Sequence, residues 1–85
     1  MPRPSPQADR PQEALGLAIR HLRLQRELTQ EELALRLQFH PTQISSLEGG
    51  RRNPTLGTMR RISNALEVSL SDLVGLAEEL ERRIE

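Results

Sequence analysis

Cysteine is absent from the 85-residue chain. That excludes a disulfide framework and a thiolate metal site. Lysine is absent as well, so all twelve cations are arginine, whose planar fork can grip a phosphate or carboxylate through two hydrogen bonds. Phe39 is the single aromatic residue, so any core has to be packed from Leu, Ile and Ala. No apolar run approaches the roughly 20 residues of a membrane helix. The Pro-rich start, "MPRPSPQADRP", lacks the hydrophobic segment of a secretory signal. The expectation is a cytoplasmic protein with no membrane contact. His21 and His40 stand 19 residues apart, and Asp9 and Asp72 are the only aspartates. Neither histidine has the spacing of a metal site or a nucleophile to serve, so no enzyme activity, metal or cofactor is expected.

What is present suits one small domain with one modest core. Net charge is zero, which removes bulk attraction to nucleic acid as an argument. The charges are nevertheless segregated. Residues 1–27 carry five Arg against three acids, residues 51–61 four Arg and no acid, and residues 67–85 six acids against two Arg.

Helical periodicity recurs along the chain, and no alternating strand pattern does. Residues 1–11, with Arg3 and Arg10, read as a disordered arm. Leu15, Ala18, Ile19 and Leu22 then predict a helix over about 12–26. "TQEEL" is a capping box in which Thr29 caps and Glu32 answers, with Leu33, Ala34 and Leu37 inward. Pro41 suits a first helical residue, with His40 in the cap position, and Gly49-Gly50 ends that helix. Thr55 caps a fourth helix with Leu56, Met59, Ile62 and Leu66 inward. Ser69 and Asp72 open a fifth, running toward residue 83. The predicted fold class is all-α, a five-helix bundle with an extended C-terminal helix. The core domain spans 12–75, and 76–85 is an extension.

The third helix, "PTQISSLE", has an unusual outer face. Ile44 and Leu47 face inward, leaving Thr42, Gln43, Ser45 and Ser46. A helix needing only solubility usually carries Glu, Lys or Arg there, which are also better helix formers. Small uncharged donors and acceptors match base edges in a major groove. Only "QFH" separates the second and third helices. So short a junction forces a steep crossing and projects the third helix outward, in helix-turn-helix geometry.

The stretch from "LGLAIRHLRLQ" through "LTQEELA", "ISSLEGGRRNP" and "ISNALEVSLSDL" resembles the phage-repressor/Cro-like helix-turn-helix family, also called the XRE family. The resemblance covers roughly residues 15–73. It implies a DNA-binding regulator, in the first instance a repressor, acting on double-stranded DNA as a homodimer. Carried over residue by residue, it implies that Pro41, Thr42 and Ser46 face bases with Gln43 at the rim. Thr29, Gln30, His40 and the loop from Gly50 through Arg51, Arg52 and Asn53 would meet phosphates. Arg23 and Glu48 would form a partly buried salt bridge that holds the reading helix at its angle. Arg60 and Arg61 could face either DNA or the acidic C-terminal helix.

The chain departs from the family pattern at Glu27, Gln38 and Glu67, where glycine often follows a helix. Such positions commonly need left-handed backbone. Pro41 also stands where a polar reading residue is common, leaving contact with a thymine methyl as its substitute. Leu70, Leu73, Ala77, Leu80 and Ile84 follow a heptad spacing. Leu73, Ala77, Leu80 and Ile84 are therefore expected as a dimer seam, with folding back onto the first helix as the other outcome. The alternative function is a protein-interaction module or antitoxin-type regulator, with a protein partner and weak DNA binding.

Overall fold

The computed structural model describes residues 6–84, with side chains from Arg10 onward. Its five α-helices are α1 (Pro6–Gln25), α2 (Gln30–Leu37), α3 (Pro41–Glu48), α4 (Leu56–Ala65) and α5 (Leu70–Ile84). There is no strand among the described residues. The first helix begins at Pro6, so residues 6–11 are helical here and not part of an arm. Pro6 can open a helix because a first-turn residue has no intrahelical partner for its N–H. The rest of the expected arm, including Arg3, lies outside the described residues.

The core contains the predicted stripes. Ala18 and Ile19 of α1, Leu33 and Ala34 of α2, Ile44 of α3, Ile62 and Leu66 of α4 and Leu73 of α5 are all buried. Leu56 is a correction: expected to face inward, it is 66% exposed. It is the first residue of α4, a turn and a half before the buried Ile62. Helix α1 passes close against the end of α3 at Gly16. A Cβ added at Gly16 would stand 2.4 Å from the Leu47 carbonyl oxygen and 2.6 Å from that of Glu48. Only glycine fits that crossing.

Four helix ends use one device. Glu27, Gln38, Glu67 and Gly50 all have positive φ. The next residue's N–H then reaches back five positions: Leu28 to Arg23, Phe39 to Ala34, Val68 to Ser63 and Arg51 to Ser46, at 2.9–3.1 Å. This is the Schellman arrangement, in which an apolar residue after the left-handed one packs on the helix it ends. Leu28 is buried, and Phe39 and Val68 pack against the core.

Arginine closes the helix ends as well. Arg36 of α2 donates to Ala65 O at the end of α4 (3.0 Å), while Arg61 of α4 donates to Leu37 O at the end of α2. The two helices thus cap each other. Arg26 donates to Glu67 O at 3.1 Å and Arg23 to Leu28 O at 2.7 Å. A cation with several donors suits these unsatisfied carbonyls and the negative end of the helix dipole. Part of the all-arginine bias therefore serves the fold.

The C-terminal helix folds back along α1. Leu73 is fully buried and Ala77 is 8% exposed, both in the monomer's own core. They cannot also form the expected dimer seam, because their apolar surface is already covered by α1. Leu80 and Ile84 are half-buried, and Leu80 packs against the same core.

Candidate nucleic-acid interface

The turn between α2 and α3 comprises residues 38–40. Gln38 in the left-handed region reverses the chain, and His40 in extended backbone starts α3. Ile44 and Leu47 anchor the inner face, which leaves Thr42 exposed and Pro41, Gln43 and Ser46 half-buried on the outer one. The apolar anchors thus present the four expected base-reading residues together.

The N-terminus of α3 is closed by its own side chains. The Thr42 N–H donates to His40 Nδ1 at 3.2 Å, and Thr42 Oγ1 lies 2.8 Å from the same nitrogen. The His40 N–H donates to Gln43 Oε1 at 2.8 Å. His40 and Gln43 thus form a capping box, with the imidazole in the role usually taken by Ser or Thr. The sequence indicates His40 as a cap, and Gln43 stands at the answering position three residues later.

The N-terminus of α2 carries a second box. The Thr29 hydroxyl accepts the Glu32 N–H at 3.0 Å, and Glu32 Oε1 accepts the Thr29 N–H at 2.9 Å. The bond from the Thr29 backbone, followed by that with the Thr29 side chain, holds the Glu32 carboxyl below its ordinary pKa.

Behind these two ends lies the buried pair. Arg23 Nε and Nη2 donate to Glu48 Oε2 and Oε1 at 2.6 and 2.9 Å, a bidentate bridge between α1 and α3. Both side chains are almost fully enclosed. The hydrogen bond to Glu48 raises the Arg23 pKa against the opposing effect of burial. Gln30, expected at a phosphate, is half-buried, and its amide donates to Glu48 Oε1 at 3.1 Å. One carboxylate therefore ties α1, the start of α2 and the end of α3 together. Periodicity could not reveal this, because the Gln30–Glu48 contact joins separate helices.

The loop after α3 calls for a correction. The N–H groups of Gly49, Gly50 and Arg51 all donate to α3 carbonyls, those of Ser45, Leu47 and Ser46. The Gly50 carbonyl accepts from Gln12 at 3.1 Å, a contact with no sequence signal. Gly50 is therefore the left-handed turn residue and not an amide donor for phosphate. The Arg51, Arg52 and Asn53 side chains remain exposed, with Arg51 also reaching Ser45 O at 3.3 Å. Arg52 and Asn53 line a cleft of about 430 Å³ with Gln43, Thr55, Thr58 and Arg61. Arg61 is held by Leu37 O and stands 5.0 Å over the Phe39 ring. Arg60 is exposed.

The family model described as Helix-turn-helix matches residues 19–73. The chain belongs to the helix-turn-helix family. An uncharacterized HTH-type transcriptional regulator of Sinorhizobium fredii, y4dJ, is 43% identical over 65 residues, covering 76% of this chain and 84% of that protein. The crystal structure of the clp gene regulator ClgR from Corynebacterium glutamicum matches with a TM-score of 0.82 and 30% identity, covering 85% of this chain and 77% of that one. The restriction-modification controller protein C.Esp1396I, solved as a tetramer in complex with its natural 35 base-pair operator, matches with a TM-score of 0.76 and 28% identity. That match covers 84% of this chain and 93% of the controller.

Proposed function

We propose that the chain is a sequence-specific DNA-binding transcriptional regulator that reads the major groove with α3 and acts as a repressor. The observation that carries this reading is the outer face of α3. Pro41, Thr42, Gln43 and Ser46 present a polar, uncharged surface on a helix whose angle is fixed from behind by Arg23, Glu48 and Gln30. Base edges supply the donors, acceptors and methyl groups that such a surface fits. Thr29 at the start of α2 and His40 at the start of α3 flank it, where helix N-termini favour phosphate. Arg51, Arg52 and Asn53 add contacts from the loop. Repression follows from occupancy, since a helix seated in the groove excludes other proteins from the same base pairs.

The operator-bound form is a homodimer. Two copies related by a twofold axis would set their α3 helices roughly 34 Å apart, one turn of DNA, over a near-palindromic site. The operator-bound tetramer of the controller protein supports this assembly.

The test is fluorescence polarisation with the promoter upstream of the chain's own gene, over a series of salt concentrations. Thr42→Ala should relax base preference, at about 1–3 kcal/mol for a good base contact. Arg52→Ala should weaken all sequences alike and lower the salt slope by about one. Unchanged binding in both variants removes the assigned face.

A further inference from the structure

The capping of α3 sets the hydrogen-bond polarity of its reading face. A backbone N–H can only donate, so the Thr42 N–H at 3.2 Å makes His40 Nδ1 an acceptor and places the proton of the neutral ring on Nε2. On that tautomer the Thr42 hydroxyl, 2.8 Å away, is the donor of their contact and shares the one ring lone pair with the Thr42 N–H. Thr42 then shows the groove oxygen lone pairs and a methyl group. Gln43 has the opposite constraint. Its Oε1 accepts the His40 N–H at 2.8 Å, and its amino group donates to none of the described residues.

We infer that Gln43 is a guanine reader. The inference rests on the groove-reading assignment of α3 above. Glutamine ordinarily pairs with adenine through both ends of its amide, donating to N7 and accepting from N6. Here one lone pair of the accepting oxygen takes the His40 N–H, which anchors that end at the helix start. Releasing it would leave the His40 N–H without a partner at the moment DNA displaces water from the helix start, and an unpaired donor in a dehydrated interface is costly. A side chain whose oxygen is anchored at the helix start has its amino group freest to enter the groove, and that donor fits the edge that only accepts, the N7 and O6 of guanine. Gln43 thus acts like a short, uncharged arginine, and its cap determines which base it takes.

The experiment is selection from a randomised double-stranded DNA library, then polarisation with the selected duplex and its single-base replacements. Wild type should prefer guanine at one position by roughly tenfold, within the range of one base-edge contact. Gln43→Ala should abolish that preference and leave the others. Gln43→Glu keeps an oxygen for the His40 N–H, so the cap and fold survive, but it has no donor. Its preference at the same position should turn to cytosine, whose amino group donates. A Gln43-dependent preference for adenine or thymine overturns the guanine assignment while leaving α3 as the reading helix. If Gln43→Ala alters no position while Thr42→Ala does, Gln43 is not a reader at all. If no sequence is enriched, the groove-reading assignment fails and takes this inference with it.

Discussion

Glu27, Gln38 and Glu67 hold φ at 56°, 58° and 59°, in the left-handed region. A side chain there crowds the following carbonyl by about 1 kcal/mol relative to glycine. Their N–H groups contribute to the helix ends through the backbone alone, so glycine keeps every such bond. Glu27→Gly and Gln38→Gly should each raise the melting temperature, by about 4–8 °C per kcal/mol in a domain of this size. Glu67→Gly should gain less. It gives up an ion pair with Arg26 at 3.3 Å, exposed on both sides and worth about 0–1 kcal/mol. Calorimetry of the three variants checks both the sign and the order. The Arg23–Glu48 pair behaves differently, because it is buried and bidentate. Arg23→Ala or Glu48→Ala alone strands the partner's charge and should destabilise by about 3–5 kcal/mol. Replacing both with apolar residues of similar size should restore much of the loss. Denaturant titration of the two singles and the double separates the cost of a stranded charge from the worth of the pair.

Between elements, the tightest constraint is the crossing of α1 with α3 at Gly16. Alanine is a better helix former by roughly 0.5–1 kcal/mol, so on propensity alone Gly16→Ala should stabilise α1. The two carbonyl oxygens within 2.6 Å of the added Cβ reverse that expectation. Backbone cannot give way like a flexible side chain, and overpacking of this kind costs about 1–3 kcal/mol or more. The expected result is a lower melting temperature and weaker operator binding, since α3 must shift to make room. A rise in melting temperature would show that the helices separate there without penalty.

At the scale of the whole molecule, the buried surface of α5 belongs to the monomer, so self-association has to use what remains outside. Leu17 and Leu24 of α1, 39% and 54% exposed, flank a groove of about 280 Å³ that Leu80 also lines. Leu56 and Val74 leave a second set of apolar atoms exposed on α4 and α5. Sedimentation of the full chain at tens of micromolar should show a dimer. Glu at Leu17 and Leu24 in one variant, and at Leu56 and Val74 in another, leaves the core intact. The variant that dissociates marks the contact surface. A wild-type chain that stays monomeric at those concentrations and on a palindromic duplex ends the homodimer proposal.

The five helices and four of their N-caps, Thr29, His40, Thr55 and Ser69, were legible along the chain, whereas the left-handed ends at Glu27, Gln38 and Glu67 were expected from the family's glycines. Helices and caps depend on neighbours within about five positions, where periodicity and capping chemistry act. The outer face of α3 was legible for the same reason, since Ile44 and Leu47 orient everything between them. The Arg23–Glu48 pair could be expected only through family resemblance, because nothing local marks two charges 25 positions apart as partners. Tertiary structure alone decided the rest. Leu73 and Ala77 carry the same heptad spacing whether they face another copy or α1, and only packing shows that α1 covers them. Leu56 fits the inward stripe of its helix, yet most of its side chain stands in solvent. Gln12 on Gly50 and Gln30 on Glu48 join residues far apart in the chain, and a glutamine's sequence neighbours do not record which distant carbonyl or carboxylate the fold will bring to it.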